Sequence, residues 1–181
     1  MDSSPVPASP LPLSEREQAV LRTLGGPGAV VAFQGLRRQL GLHPEILSRT
    51  LRRLERGGLV ERTDSGYRLT PSAPLIAEPL EPPGVPVLEA HLPPGVSPEA
   101  LAQSLLGRWL GPLRWQAIRD RNTRLQWASP EGDFRVDLRL GPETLSIEVY
   151  AREGSWSAAV RAAYSLFRQV AGETPLGSSA S

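Results

Sequence analysis

Residues 35–70 read GLRRQLGLHPEILSRTLRRLERGGLVERTDSGYRLT, and the fold turns on this stretch. A short helix is expected over residues 33–40, with Leu36 and Leu40 on one face and Gly41 ending it. A second helix is expected over residues 43–56. His43 lies near its cap, Pro44 occupies N1, and Glu45 sits in the first turn, where a carboxylate complements the helix dipole. Leu47, Thr50, Leu51 and Leu54 recur on one face, and Gly57-Gly58 closes the helix. Leu59 to Arg62, then Thr63 to Gly66, then Tyr67 to Thr70 read as strand, turn and strand. Upstream, Ser14-Glu15-Arg16-Glu17 has the pattern of a capping box, followed by Ala19, Val20, Leu21 and Leu24 and the stop Gly25-Gly26-Pro27-Gly28.

Helix, helix, three-residue turn, helix and hairpin, in that order, resemble the winged helix-turn-helix of bacterial and archaeal transcription regulators. The residues that carry the resemblance are the turn Leu40-Gly41-Leu42, the helix from Leu47 to Glu55, and GGLVER at residues 57–62 leading into a short wing. Three positions depart from the family pattern. Arg37 stands where a small alanine is usual, His43 where a serine or threonine cap is usual, and Ile46 where a threonine that touches DNA is common.

With the leucines inward, the outer face of helix 43–56 carries Glu45, Ile46, Arg49, Arg52 and Arg53. The resemblance implies that this helix enters the major groove of double-stranded DNA with its N-terminal residues at the base edges. Glu45, Ile46 and Arg49 are then expected at bases, and Ser48, Arg52 and Arg53 at phosphates. Arg37 and Arg38 are further phosphate candidates. Arg62 and Arg68 flank the wing, where they would reach backbone or minor groove.

Prolines divide the chain. Residues 1–13 are rich in proline and serine and read as disordered, and so does the tail 172–181. Six prolines in residues 71–86 make 71–85 a stiff linker between a first domain over 14–70 and a second over 86–171. In the second, residues 85–92 alternate as a strand, and Ser97 with Pro98 begins a helix expected to run to about Leu110, with Leu101, Leu105 and Trp109 on one side. Four strand-like runs follow (residues 113–120, 123–129, 134–140 and 145–153), separated by Asp120-Arg121-Asn122, Pro130 to Asp133 and Gly141-Pro142-Glu143. A last helix is expected over 156–171, with Trp156, Val160, Ala163, Phe167 and Val170 as its apolar stripe.

The expected fold is therefore α+β. An N-terminal winged helix-turn-helix precedes a small β-α-β-β-β-β-α domain, an antiparallel meander with helices on one face. That order resembles the TATA-binding-protein-like fold in topology alone. The apolar face of the meander collects Trp115, Leu125, Trp127, Phe134, Val136, Leu138, Leu145, Ile147 and Val149, so its tryptophans read as core. The opposite face carries Arg114, Gln116, Arg124, Gln126, Arg135, Asp137, Arg139, Glu148, Tyr150 and Arg152, the pattern of a half-solvated sheet.

Composition narrows the function. All twenty basic residues are arginine, the net charge is +1, and there are no cysteines. Residues 11–72 hold ten arginines against six acids, whereas 73–181 hold ten against twelve. The lack of cysteine excludes disulfides, thiolate zinc sites and cysteine nucleophiles. His43 and His91 are far apart in sequence, and no metal, cofactor or catalytic grouping is expected: the chain has no glycine-rich phosphate loop and no GxSxG elbow. The start, MDSSPVPASP, has no basic and apolar leader pattern, so a cytoplasmic location is expected. The leading expectation is a sequence-specific DNA-binding regulator of transcription, forming a homodimer through residues 86–171. The alternatives are an architectural or repair-associated DNA-binding protein of low specificity and a winged-helix module for protein interaction. The low net charge weighs against the first alternative.

Overall fold

Ser14 and Glu17 set the first helix. In the computed structural model, which describes residues 12–26, 28–74, 83–121 and 123–173, the Ser14 hydroxyl accepts from the Glu17 N–H at 3.3 Å. The Glu17 carboxylate in turn accepts from the Ser14 N–H at 2.8 Å. This reciprocal pair satisfies donors that a helix start leaves open, and α1 runs Glu15–Leu24. After a two-residue strand, β1 (Val30–Val31), come α2 (Phe33–Leu40) and α3 (Pro44–Arg56). Gly41 separates the two helices in the left-handed conformation, φ +63°, which glycine adopts at little cost. The His43 ring caps α3, accepting from the Glu45 N–H at 3.4 Å. The hairpin β2 (Val60–Thr63) and β3 (Gly66–Leu69) completes the first half. Val20, Leu21, Leu24, Leu36, Leu47, Leu51 and Leu54 bury between these helices, where the spacing puts them.

The second half contains β4 (Val85–His91), α4 (Pro98–Leu105), β5 (Arg114–Arg119), β6 (Arg124–Ala128), β7 (Phe134–Leu140), β8 (Thr144–Ala151) and α5 (Trp156–Glu173). The described residues thus form a mixed α+β fold of five helices and one eight-stranded antiparallel sheet, ordered β2-β3-β1-β5-β6-β7-β8-β4. The helices α4 and α5 contribute to a core with the apolar sheet face. Trp115 and Trp127 lie within it, their rings edge to face at 5.5 Å. Each indole N–H is satisfied, Trp127 by the Arg108 carbonyl at 2.9 Å and Trp115 by the Ser65 carbonyl at 3.2 Å.

The sheet does not stop between the halves. Val31 of β1 pairs with Tyr67 of β3 on one side and with Ala117 of β5 on the other. Two residues carry no alternation, so β1 left no periodic signal in the sequence. Of the segments expected to be disordered or linking, 1–11, 75–82 and 174–181 lie outside the described residues.

Three expectations need correction. The helix that starts at Ser97 ends at Leu105, not near Leu110, because Leu106 turns to extended backbone and Gly107 to φ +72°. Trp109 consequently leaves the helix face and is 64% exposed, with the Arg114 guanidinium 3.9 Å from its ring centre. In α5 the buried stripe is Ala159, Ala162, Ala163, Leu166 and Val170, whereas Trp156 is 43% exposed. The small alanines form the contact, and the bulkier Trp156 stays at the rim. Finally, the polar sheet face is not half solvated throughout: Gln116, Arg119, Gln126 and Asp137 are buried. The first half of the chain packs against part of that face, which local alternation does not reveal.

Candidate nucleic-acid interface

The most basic exposed helix surface belongs to α3. Its inner leucines are fully enclosed, which fixes the orientation of its outer face. Arg49, Arg52, Arg53 and Arg56 are exposed, and four arginines against Glu45 and Glu55 leave the helix a charge of +2. Between α1 and α3 lies a shallow cleft of about 220 Å³, lined by Ser14, Arg16, Glu17, Ile46, Arg49, Thr50 and Arg53. Arg16, which the sequence reading passed over, thereby joins the α3 arginines. Its signal was weak, because it occupies an ordinary first-turn position of a helix whose apolar pattern pointed elsewhere.

The individual arginines differ in their surroundings. Arg49 pairs with Glu45 one turn earlier at 3.4 Å, both side chains about three-quarters exposed (75% and 73%). Exposed pairs of this kind contribute little stability and yield readily to a stronger anion. Arg53 reaches the Glu17 carboxylate at 3.0 Å, and that carboxylate is 5% exposed. The Ser14 N–H holds the Glu17 carboxyl below its ordinary pKa, and the Ser14 hydroxyl and Arg53 add to this against the opposing effect of burial. Arg53 is thus tied into the α1 cap as well as facing solvent. Arg52 is exposed and forms no ion pair among the described residues. Ile46 and Ser48 are half-buried on the same helix.

The remaining candidates are not gathered on this surface. Arg38, expected at phosphate, instead donates to the carbonyls of Ser129 at 3.0 Å and Pro130 at 2.7 Å, in the turn after β6. Arg37 is half-buried on α2. Arg62 is exposed on β2, and Arg68 on β3 pairs with Glu61 across the hairpin. The tip of that hairpin is held down, because Ser65 accepts from Trp115 of β5. It is therefore an attached turn, not a free arm.

A second polar assembly joins the halves. Arg119 of β5 donates to the carbonyl of Thr23 at 2.9 Å, at the end of α1, and to Gln126 at 3.0 Å. Gln126 donates to Asp137 at 2.9 Å, and Arg135 donates to the other Asp137 oxygen at 2.8 Å. Burial raises the Asp137 pKa, while Arg135, Gln126 and Arg124 act in the opposite direction. The sequence pattern places Gln126, Arg135 and Asp137 on a half-solvated sheet face and gives Arg119 no role. In the fold they satisfy one another, as buried polar groups must.

Among the described residues, no group of three His, Asp or Glu side chains is placed to hold a metal ion. No helix among them is long and apolar enough to cross a membrane. Comparison with family models, with curated proteins and with solved structures yields no match.

Proposed function

We propose that the chain is a sequence-specific double-stranded DNA-binding protein, a regulator of transcription that reads the major groove with the helix over residues 43–56. The observation that carries this reading is the outer face of α3. It presents Ile46, Arg49 and Arg52 on a helix whose opposite face is locked by Leu47, Leu51 and Leu54. The element order α1-β1-α2-α3-β2-β3, with β1 beside β3, supports reading the first 70 residues as a winged helix. Arginine suits such a surface, because its planar fork matches guanine edges and phosphate oxygens. The attached hairpin tip favours contacts centred on α3 over insertion of the wing into the minor groove.

A homodimer through residues 86–171 belongs to this proposal, since regulators of this architecture commonly bind paired half-sites about one helical turn apart. Trp109, Trp156 and Tyr164 support it, being large apolar side chains left 64%, 43% and 50% exposed.

The test is a selection of sheared genomic fragments by the purified full chain, at moderate salt with competitor DNA. Enrichment of a few sites sharing a motif is the expected result, with inverted symmetry in the motif if two copies bind. Retention without a motif, lost as salt rises, would replace the proposal with low-specificity binding. No retention at low salt would leave a protein-interaction module as the better reading.

A further inference from the structure

The seam between the halves opens at one place into a cleft of about 350 Å³, within the size range of small-ligand sites. Arg38 and Gln39 of α2 form one wall. Gln116, buried on β5, lies at the base. The far wall is built by the side chains of Arg135, Tyr150 and Arg152.

The chemistry of this lining is selective. Three guanidinium groups line the cleft, with Asp133 3.9 Å from Arg152 and the buried Asp137 paired behind Arg135. Each guanidinium carries five N–H donors and no acceptor. The contacts of Arg38 with the Ser129 and Pro130 carbonyls use two of its donors and hold the group in place. Arg135 is anchored by Asp137 at 2.8 Å, and its guanidinium carbon lies 3.9 Å from the centre of the Tyr150 ring. An arginine already fixed by an acid and an aromatic ring loses little freedom when it meets a ligand. Tyr150 adds one ring beside the charges, whereas the Phe134 ring packs with the core on the other sheet face. Anion-binding forks and the Tyr150 ring therefore meet at one concave space.

We propose that this cleft binds a small planar anion, a ring bearing one carboxylate or phosphate group. The proposal stands apart from the DNA reading, because ligand would engage the cleft with no nucleic acid present.

The test is calorimetric titration of the full chain with 4-hydroxybenzoate and, separately, with adenosine monophosphate. Saturable binding of at least one probe at millimolar concentration is expected. Arg152→Ala should weaken it about tenfold, the loss typical of one charge-assisted contact. Gln39→Trp, which fills the mouth from an exposed position, should abolish it. Arg161→Ala, on the exposed side of α5, should bind like the parent. Thermal melts of all three variants check that they remain folded. The stronger probe tells whether the recognised group is carboxylate or phosphate. Absence of binding by both probes, or binding that survives both Arg152→Ala and Gln39→Trp, would overturn the proposal.

Discussion

Arg53 and Arg52 are neighbours in the sequence with different tasks. Arg53 lies 3.0 Å from a nearly enclosed glutamate, whereas Arg52 extends into solvent. Arg49→Ala should weaken DNA binding and relax the preference at one base position by about 1–3 kcal/mol. Arg52→Ala should weaken it and reduce the slope of log affinity against log salt by roughly 0.9, one phosphate contact's worth. Their melting temperatures should match the parent's. Arg53→Ala should lower stability as well, so binding loss in that variant has two causes. Parent-like affinity and base preference in Arg49→Ala, together with an unchanged slope in Arg52→Ala, would place the DNA surface elsewhere. Glu17 gives a prediction about acid. Its folded pKa is lowered, so its stabilising effect is complete above the ordinary carboxyl range and is lost as pH falls through the lowered value. Glu17→Gln should therefore cost about 1–2 kcal/mol at neutral pH, with the gap from the parent closing as the solution is acidified. Urea unfolding at neutral and acidic pH measures both ends, and a gap that does not narrow would mean the carboxylate charge is not what matters.

At the scale of elements, the hairpin depends on Gly66. Its φ is +146°, and a side chain there would overlap the backbone of Val31 on the neighbouring strand. Gly66→Ala should separate β3 from β1 and destabilise the chain by roughly 2 kcal/mol or more, in the range of strained overpacking. Hydrogen exchange should then accelerate at Val31 and Tyr67. Protection equal to the parent's would show that the hairpin moves without harm to the pairing. The helices were the most legible elements. Ser14, Gly41, Pro44 and Gly57 mark ends that caps and backbone chemistry set locally. The end of α4 and the buried side of α5 were less legible, because packing against the sheet chose among several apolar residues with similar spacing.

For the whole molecule, the shared sheet makes the halves interdependent. Ala117 of β5 belongs to the core of the first half, and Arg119 fastens the end of α1. All four tryptophans lie beyond residue 100, while three of the five described helices lie before residue 60. Tryptophan fluorescence and far-ultraviolet circular dichroism should therefore report one coincident thermal transition. Two separated transitions would show that the seam does not couple the halves. A fragment ending at residue 84 loses the β5 edge beside β1, so it should melt well below the full chain. Weakened DNA binding by that fragment would not by itself demonstrate dimerisation, and sedimentation of the full chain is the cleaner measure.

Local chemistry in the sequence determined the capped helices, the hairpin, the strand alternation and the arginine-bearing outer face of α3, because each depends on residues a few positions apart. The tertiary structure decided what depends on distant residues meeting. It joined the sheets through two valines, drew Arg38 to the turn after β6, and buried Gln126 and Asp137 in a satisfied network. It also set Arg38 opposite Arg135 and Arg152 across a cleft. A polar side chain reads the same in sequence whether water or another part of the chain covers it, and only the packing of one half on the other distinguishes the two.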